Sequence, residues 1–584
     1  MQRSFALLDT PGGGALLFDG LVDTLPVTAA RSLADVCGEV ERRVAAGCFV
    51  VAALDYELGA VIEPSSGAAP DRLLGQFLVF SRRRQLDADA LSSFLHHACG
   101  DPLPPATLAS LQPTLTPAQH AAAVARIRDY IAAGDCYQVN FTFPVTGSCV
   151  GDPLVLYARL RAAQPVAHGG LIVTPDGYLL SFSPELFVVR AGGVVTARPM
   201  KGTASRGDDA AADVLAAAQL QGSAKDRAEN VMIVDLIRND LGRIALPGSV
   251  TVTDLCTVEA YPSVLQMTST VTARSDAPLA AVLGALFPCG SITGAPKIRA
   301  MQIIRELELG PRGPYTGAFG WIGAGGDFSL SVAIRTLQIE SDGRVRYGVG
   351  SGIVWDSEAD SEYRECLLKA AFLTQADPGF RLIETLRLED GCFPLREGHL
   401  DRLAASATCF AFVCERAGIA AQLMQLAATH PAGIFRVRLT LGRDGDVQLA
   451  ATPLEVQCAA LRTRLASERL LSTDVWLRHK TTVRARYDAE LKRIVADPAL
   501  FDSIFLNERD EVCEGARSNV FIRRRAGEAL LTPPLSSGLL PGVLRGSLLA
   551  SGEATECVIY EADLHSAAEL YLGNALRGLV RVSL

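Results

Sequence analysis

SEADSEYRECLLKAAFLT (Ser357–Thr374), QADPG (Gln375–Gly379) and FRLIETLRLEDGCFPL (Phe380–Leu395) follow one another without a gap, and their reading divides the chain. The first run has helical periodicity. The last alternates as two short strands around the Asp390–Gly391 turn, with Asp-Pro-Gly breaking the pattern between them. A domain therefore ends near residue 375 and another begins at 376. Upstream, strand-like GGLIVTP, YLLSFSPELFVVR and GGVVTARPM alternate with helical AAAVARIRDYIAAG and AKDRAENVMIVDLIRNDLGRI. Downstream, IFRVRLTL, SNVFIRRR and ELYLGN are strands among helices. Both parts predict mixed α/β (α+β) folds: a large two-layered domain over 1–375, of which 1–115 form an N-terminal portion, and an independent one over 376–584.

The whole chain has 584 residues, too many for one small module, and its 49% hydrophobic content excludes global disorder. Its net charge is -9, with no basic cluster to offset it, so nucleic acid and anionic membrane are disfavoured as partners. The N-terminus reads as lacking a leader and no long uncharged apolar stretch follows, which predicts a cytoplasmic protein. The 14 cysteines include no C-x-x-C pair and read as reduced core residues.

In the Ser357 helix, Glu358, Glu362, Glu365 and Lys369 share one face, and taken alone this is a solvated acidic stripe. The helix carrying Glu229 adds a carboxylate from a second element, a combination suited to a magnesium ion bound to an anionic substrate. The glycine turns PCGSITGAPK (Pro288–Lys297) and GVGSGIV (Gly348–Val354) let backbone N–H groups approach an anion, and Tyr315 and Arg335 could each hold a carboxylate. Individually, all of these are also ordinary structural features.

Together they carry a resemblance. AGDCYQVNFT, SFSPELFVVR, RPMKGTASRG, KDRAENVMIVDLIRNDLGR, FPCGSITGAPKIRAMQII, AIRT and GSGIVWDSEADSEYRE, in this order between Tyr130 and Ala370, resemble the chorismate-utilising enzymes. That resemblance implies Mg²⁺ held by Glu229 and Glu365 with Glu362 nearby. It implies chorismate held by Thr293, Tyr315, Arg335, Lys369 and the turn of Gly350, Ser351 and Gly352, and Glu185 as general acid for the departing C4 hydroxyl. Gln138 stands where isochorismate synthases use lysine to activate water, and an amide is no general base. Lys201 stands where anthranilate synthases carry a small residue. In the aminodeoxychorismate synthase branch a lysine there is thought to attack ring C2, although it could instead pair a substrate carboxylate. Gln266 replaces a histidine found in many relatives. The chain shows no glutaminase motif, which implies that a separate glutamine amidotransferase supplies ammonia.

In the C-terminal part, WLRHKTTVRARYDAE places Lys480 at an expected strand end, where a lone lysine is commonly surface charge. EVCEGARSNVFI puts Glu514 in a turn, and TPPLSSGLLPGVLRGSLL forms a helix start fit for phosphate. With HLDRLAAS and LYLGNALRG, these segments resemble the fold-type IV pyridoxal phosphate enzymes. The resemblance implies Lys480 as Schiff-base lysine and Glu514 on the ring nitrogen. It also implies Arg402 with Leu540, Gly542 and Val543 on the phosphate, and Asn574 at the cofactor. Such relatives are commonly dimers, which leaves a homodimer through this domain open. Within the fold, lyase and aminotransferase both remain open. The fusion favours synthesis of 4-amino-4-deoxychorismate followed by loss of pyruvate to give 4-aminobenzoate for folate. The competing readings are an anthranilate-type synthase joined to an aminotransferase, and a catalytically weakened scaffold.

Overall fold

A computed structural model of the chain describes residues 4–206, 209–260, 264–454, 461–497 and 499–584; Gly207, the last residue of RPMKGTASRG, lies outside them. Two compact units divide between Ala376 and Asp377. Both mix helices and strands.

In the first unit, eighteen described strands join one hydrogen-bonded network. The strand Leu73–Leu86 shows why its apolar residues run consecutively instead of alternating with polar ones. Phe77 and Val79 enter a large core shared with helices, while Leu78 and Phe80 enter a second core built largely of strand residues. With both faces buried, neither face selects polar side chains.

Two helices and one strand pair frame the site. Ala224–Gly242 starts at Ser223, whose hydroxyl accepts from the Asp226 N–H (3.3 Å). Ala359–Ala370 follows Glu358 and gives way to a short 3₁₀ turn, Ala371–Thr374. The strands Gln138–Val150 and Arg344–Ile353 pair antiparallel, with Gly350 opposite Thr142 and Gly352 opposite Asn140, so the GVGSGIV stretch expected as a turn is strand up to Ile353.

The second unit holds a three-stranded antiparallel sheet, Leu382–Glu389, Ile434–Leu441 and Val447–Pro453, and an eight-stranded sheet, counted among the described residues. Three local expectations change here. After Asp390–Gly391 no second hairpin strand forms: Cys392 makes one bridge to Glu389, and the chain turns into the helix Arg396–Phe410. Pro394 lacks the N–H a ladder needs and Leu395 is left-handed at φ 60°, so Leu382–Glu389 pairs with Ile434–Leu441 instead. Lys480 is not at a strand end; it follows the 3₁₀ turn Val475–Arg478, and its neighbour Thr481 makes a lone bridge to Leu382. Glu514 lies within the short strand Val512–Gly515, not in a turn.

Every cysteine among the described residues is free, and no described helix is long and apolar enough to cross a membrane.

Candidate active sites

Lys201, on the strand Met200–Ser205, is the electrostatic centre of the first unit's site. Burial lowers its ammonium below the ordinary lysine range. The carboxylates of Glu229, Glu185 and Glu365 oppose that shift, while Lys369 adds to it. Glu185, 4% exposed, accepts a hydrogen bond from the Ser291 hydroxyl (2.7 Å). Burial pushes its carboxyl up to about 7 against the pull of Ser291 and Lys201. An acid with that value is partly protonated at neutral pH, as a proton donor must be.

Gly352 opens the floor of this site. A side chain there would put its Cβ 2.6 Å from the Gln138 amide nitrogen and 3.5 Å from the Lys201 amine. Gln138 is fully buried, and neither polar atom of its amide has a hydrogen-bond partner. A buried amide left unpaired is costly, so this pair of donor and acceptor groups is a feature that a polar ligand would satisfy.

Of the expected carboxylate-binding groups, Lys369 lies close enough to act on the Lys201 amine, while Tyr315 lines a separate cavity with Glu308 and Arg312. Lys369 donates to the Gly350 carbonyl (2.8 Å), which brings its charge to the glycine-rich strand end. Tyr315 packs its ring against Gly348, where any Cβ would stand 2.1 Å from the ring. Arg335 sits at φ 48°, its carbonyl accepts from the Phe182 N–H (2.9 Å), and its guanidinium makes no ion pair with a described residue. Such a left-handed arginine is a strained conformation of the kind that binding sites retain. Thr293 is fully buried, and its hydroxyl donates to the Cys289 carbonyl (2.8 Å), so it shapes the SITGAPK turn.

The magnesium trio is only partly assembled. Glu229 is half-buried and raised by burial and by the charges of Asp226 and Glu362, with Lys201 and Lys225 opposing. Glu365, however, pairs with Lys369 (2.8 Å) and Glu362 accepts from Ser357 (2.7 Å), and no group of three possible metal ligands closes among the described residues. The donors are hard carboxylate oxygens under mutual repulsion, which is the chemistry a Mg²⁺ ion matches. Gln266 does not reach for a ring. Its amide nitrogen donates to the Gly202 carbonyl (2.8 Å) and its oxygen accepts from the Thr203 hydroxyl (2.9 Å), bracing the irregular strand beside Lys201.

In the second unit, Lys480 and Glu514 line one cavity of about 350 Å³. Burial, reinforced by Arg484 and Arg402, takes the Lys480 amine down to about 7 against the carboxylates of Glu384 and Glu514. Burial likewise raises Glu514 to about 7, although the Tyr487 hydroxyl (2.6 Å) and the Leu540 N–H (3.0 Å) both donate to its carboxylate. Gly542 precedes the helix Val543–Ala550, and a Cβ on it would overlap the Asn519 side chain at 1.8 Å. A partly neutral lysine, a buried carboxylate and a glycine-opened helix start fit the amine-reactive, basic and anionic parts of pyridoxal phosphate.

Arg402, expected at the phosphate, is held through two residues that sequence reading did not single out, Glu384 and His399. Arg402 grips Glu384 through two nitrogens (2.8 and 2.6 Å) and donates to the Pro541 carbonyl (3.1 Å), while His399 Nδ1 lies 2.7 Å from Glu384. Burial alone would raise Glu384, but Arg402 and His399 bring it down to about 2. His399 and Arg402 share a helix face at i, i+3 spacing, the one signal available in advance. Asn574 spends its side chain on backbone: its oxygen accepts from Leu576 and Arg577 (3.1 and 2.9 Å) and its nitrogen donates to the Arg517 carbonyl (3.0 Å). It therefore shapes the rim of the cavity.

With these geometries in place, the similarities to known proteins become interpretable. Residues 69–375 match the family described as chorismate binding enzyme, and residues 381–584 match amino-transferase class IV. Aminodeoxychorismate synthase component 1 of Salmonella typhimurium is 39% identical over 329 residues, spanning 53% of this chain and 72% of that protein. Anthranilate synthase component 1 of Thermus thermophilus is 40% identical over 257 residues, 44% of this chain and 55% of the relative. Among solved structures, anthranilate synthase component I from Streptococcus pneumoniae aligns with a TM-score of 0.52 at 27% identity, covering 64% of this chain and 91% of that one.

Proposed function

Because the chain belongs to the family of chorismate binding enzymes, we propose that its first unit converts chorismate and ammonia to 4-amino-4-deoxychorismate and that its second unit removes pyruvate from this product, leaving 4-aminobenzoate. The observation that carries the reading is Lys201, lowered by burial and set among Glu185, Glu229 and Glu365.

In the first reaction Arg335, Tyr315, Lys369 and the Gly350–Gly352 stretch of strand bind and orient the substrate carboxylates. The neutral Lys201 amine forms a bond to ring C2 while the C4–oxygen bond breaks, and Glu185 gives its proton to the departing hydroxyl, which leaves as water. Ammonia then bonds to C4 as the Lys201–C2 bond breaks, restoring the lysine. Ser291 keeps Glu185 aimed at the leaving oxygen. Glu229, Glu362 and Glu365 would hold Mg²⁺, whose charge offsets that of the substrate carboxylate. Gln138, an amide beside Lys201, supports amination over water addition because it cannot deprotonate water.

In the second unit Glu514, Lys480 and the Leu540–Val543 turn would hold pyridoxal phosphate, with Arg402 bracing that turn through Pro541. When bound, the group supplies an electron sink for carbanion chemistry. Lys480, neutral in part near pH 7, takes the proton from C4, and loss of pyruvate aromatises the ring. A separate glutamine amidotransferase supplies the ammonia, and the reactions suit the cytoplasm.

Incubation of the pure chain with chorismate, Mg²⁺ and ammonium tests this. With pyridoxal phosphate the expected products by mass are 4-aminobenzoate and pyruvate in equal amounts; without it, 4-amino-4-deoxychorismate accumulates. Anthranilate or isochorismate as product would overturn the reading. Glutamine should replace ammonium only after a glutaminase is added.

A further inference from the structure

One wall of the Lys480 cavity carries three arginines whose guanidiniums pair with no described residue. The strand Ile434–Leu441 buries Val437 and Leu439 and leaves Arg436 and Arg438 exposed on its other face, where both line the cavity. On the adjacent strand, Arg387 stands opposite Arg436. Arg387 donates to the Leu576 carbonyl (3.2 Å), fastening the strand to the turn that presents Arg577 to the same cavity. Asn574 fixes that turn by accepting from the Arg577 N–H (2.9 Å).

Arg402 has Glu384 and Arg387 has Glu389, but the guanidiniums of Arg436, Arg438 and Arg577 make no ion pair or hydrogen bond to a described residue. Burial, Arg517 and Arg436 together hold Arg577 below its ordinary range, with Asp502 opposing. Like charges kept this close are destabilising unless an anion joins them, and guanidinium forks match carboxylates in shape as well as charge.

We propose that Arg436, Arg438 and Arg577 form a carboxylate receptor that makes this cavity selective for dicarboxylate substrates over simple amino acids and monocarboxylates. The proposal rests on reading the cavity as the site of pyruvate elimination, whose substrate carries one carboxylate on the ring and one on the departing enolpyruvyl group.

The test uses the full chain loaded with pyridoxal phosphate, whose absorbance reports the Lys480 cavity alone. It is titrated with chorismate, a dicarboxylate lacking the reactive amine, in EDTA without ammonium, and separately with benzoate. The Arg436→Gln/Arg438→Gln variant should weaken chorismate binding tenfold or more and benzoate binding less than twofold. It should also raise KM for pyruvate release more than it lowers kcat, with Lys at both positions restoring part of the affinity. Retained cofactor absorbance in the variant shows that the unit is folded. An unchanged chorismate titration, or equal weakening of both ligands, would overturn the proposal. If the wild type releases no pyruvate yet still binds chorismate through these arginines, the lyase reading fails and the receptor stands. If pyruvate release is normal and the variant binds chorismate normally, the receptor fails and the lyase reading stands.

Discussion

Each unit sets one lysine in a site of mixed charge, and the balance of its neighbours differs between them. Lys201 sits among the carboxylates of Glu229, Glu185 and Glu365, which favour its charged form and resist the effect of burial. Lys480 is taken down to about 7 by burial, with Arg484 and Arg402 adding to that shift and outweighing the carboxylates of Glu384 and Glu514. Carboxylates around Lys201 make its neutral form depend on what neutralises them, whereas Lys480 is set by the protein itself. The residue type is the same; its neighbours divide the roles.

The comparison breaks most sharply at Lys480. Lys480→Ala should stop 4-aminobenzoate formation, by roughly 10³-fold or more, because the amine proposed to take the C4 proton is gone. 4-Amino-4-deoxychorismate should accumulate at the normal rate, since the first unit is untouched. Quantifying both compounds by mass checks this, and normal 4-aminobenzoate output would end the lyase assignment. Lys201→Ala is the mirror experiment. Chorismate amination should fall by about 10²- to 10⁴-fold or turn toward an anthranilate-like product, while added 4-amino-4-deoxychorismate is still consumed. Unchanged rate and product would rule out the nucleophilic lysine.

Charge on the neighbours sharpens the contrast. Arg484 lowers Lys480, so Arg484→Gln should move the amine upward from about 7. A rise of about one unit cuts the neutral fraction at pH 7 about fivefold, because the amine is then protonated until higher pH. Cofactor-free chain should therefore attach pyridoxal phosphate about fivefold more slowly at pH 7, with the pH profile displaced to the alkaline side and near-normal rates above pH 9. Arg484→Lys, which keeps the charge, should restore the profile. A profile that moves to the acid side, or not at all, would show that burial alone tunes Lys480.

Legibility in the sequence follows how local each feature is. The break at Gln375–Gly379 is marked by turn residues and could be read directly, while Glu185, Lys201, Glu229 and Lys480 could be singled out in advance because they sit in short contiguous motifs that carry the resemblance. Arg402 was legible in HLDRLAAS, but Glu384 lies on a distant strand and shares no motif with it; only folding brings Glu384 within 3 Å of His399 and Arg402. The hairpin expected after Asp390–Gly391 failed for a related reason. Alternation gives a strand its faces, but its partner is chosen by tertiary packing, here Ile434–Leu441. Helical spacing placed Glu362 and Glu365 on one face correctly, yet it could not show that Ser357 and Lys369 would occupy their oxygens.

Gln266 gives the smallest and most discriminating effect. Read from the sequence, it is a lost proton carrier; in the fold it ties the Gly202 carbonyl and Thr203 hydroxyl across an irregular stretch of strand pairing, next to Lys201. A neutral hydrogen bond contributes about 1 kcal/mol, so removing the brace should loosen the lysine without removing it. Gln266→Ala is therefore expected to lower kcat for amination by about three- to tenfold, with KM for chorismate little altered because the carboxylate-binding groups lie on other elements. The pH profile should keep its shape, since no titrating group is lost. Gln266→Glu discriminates further: its acceptor oxygen preserves the Thr203 bond, but repulsion from the Gly202 carbonyl should displace the strand and reduce the rate at least as much as alanine. A flattened or displaced pH limb in Gln266→Ala would mean that this position takes part in proton transfer, and Lys201 would then share its chemistry with a neighbour, as Lys480 does not.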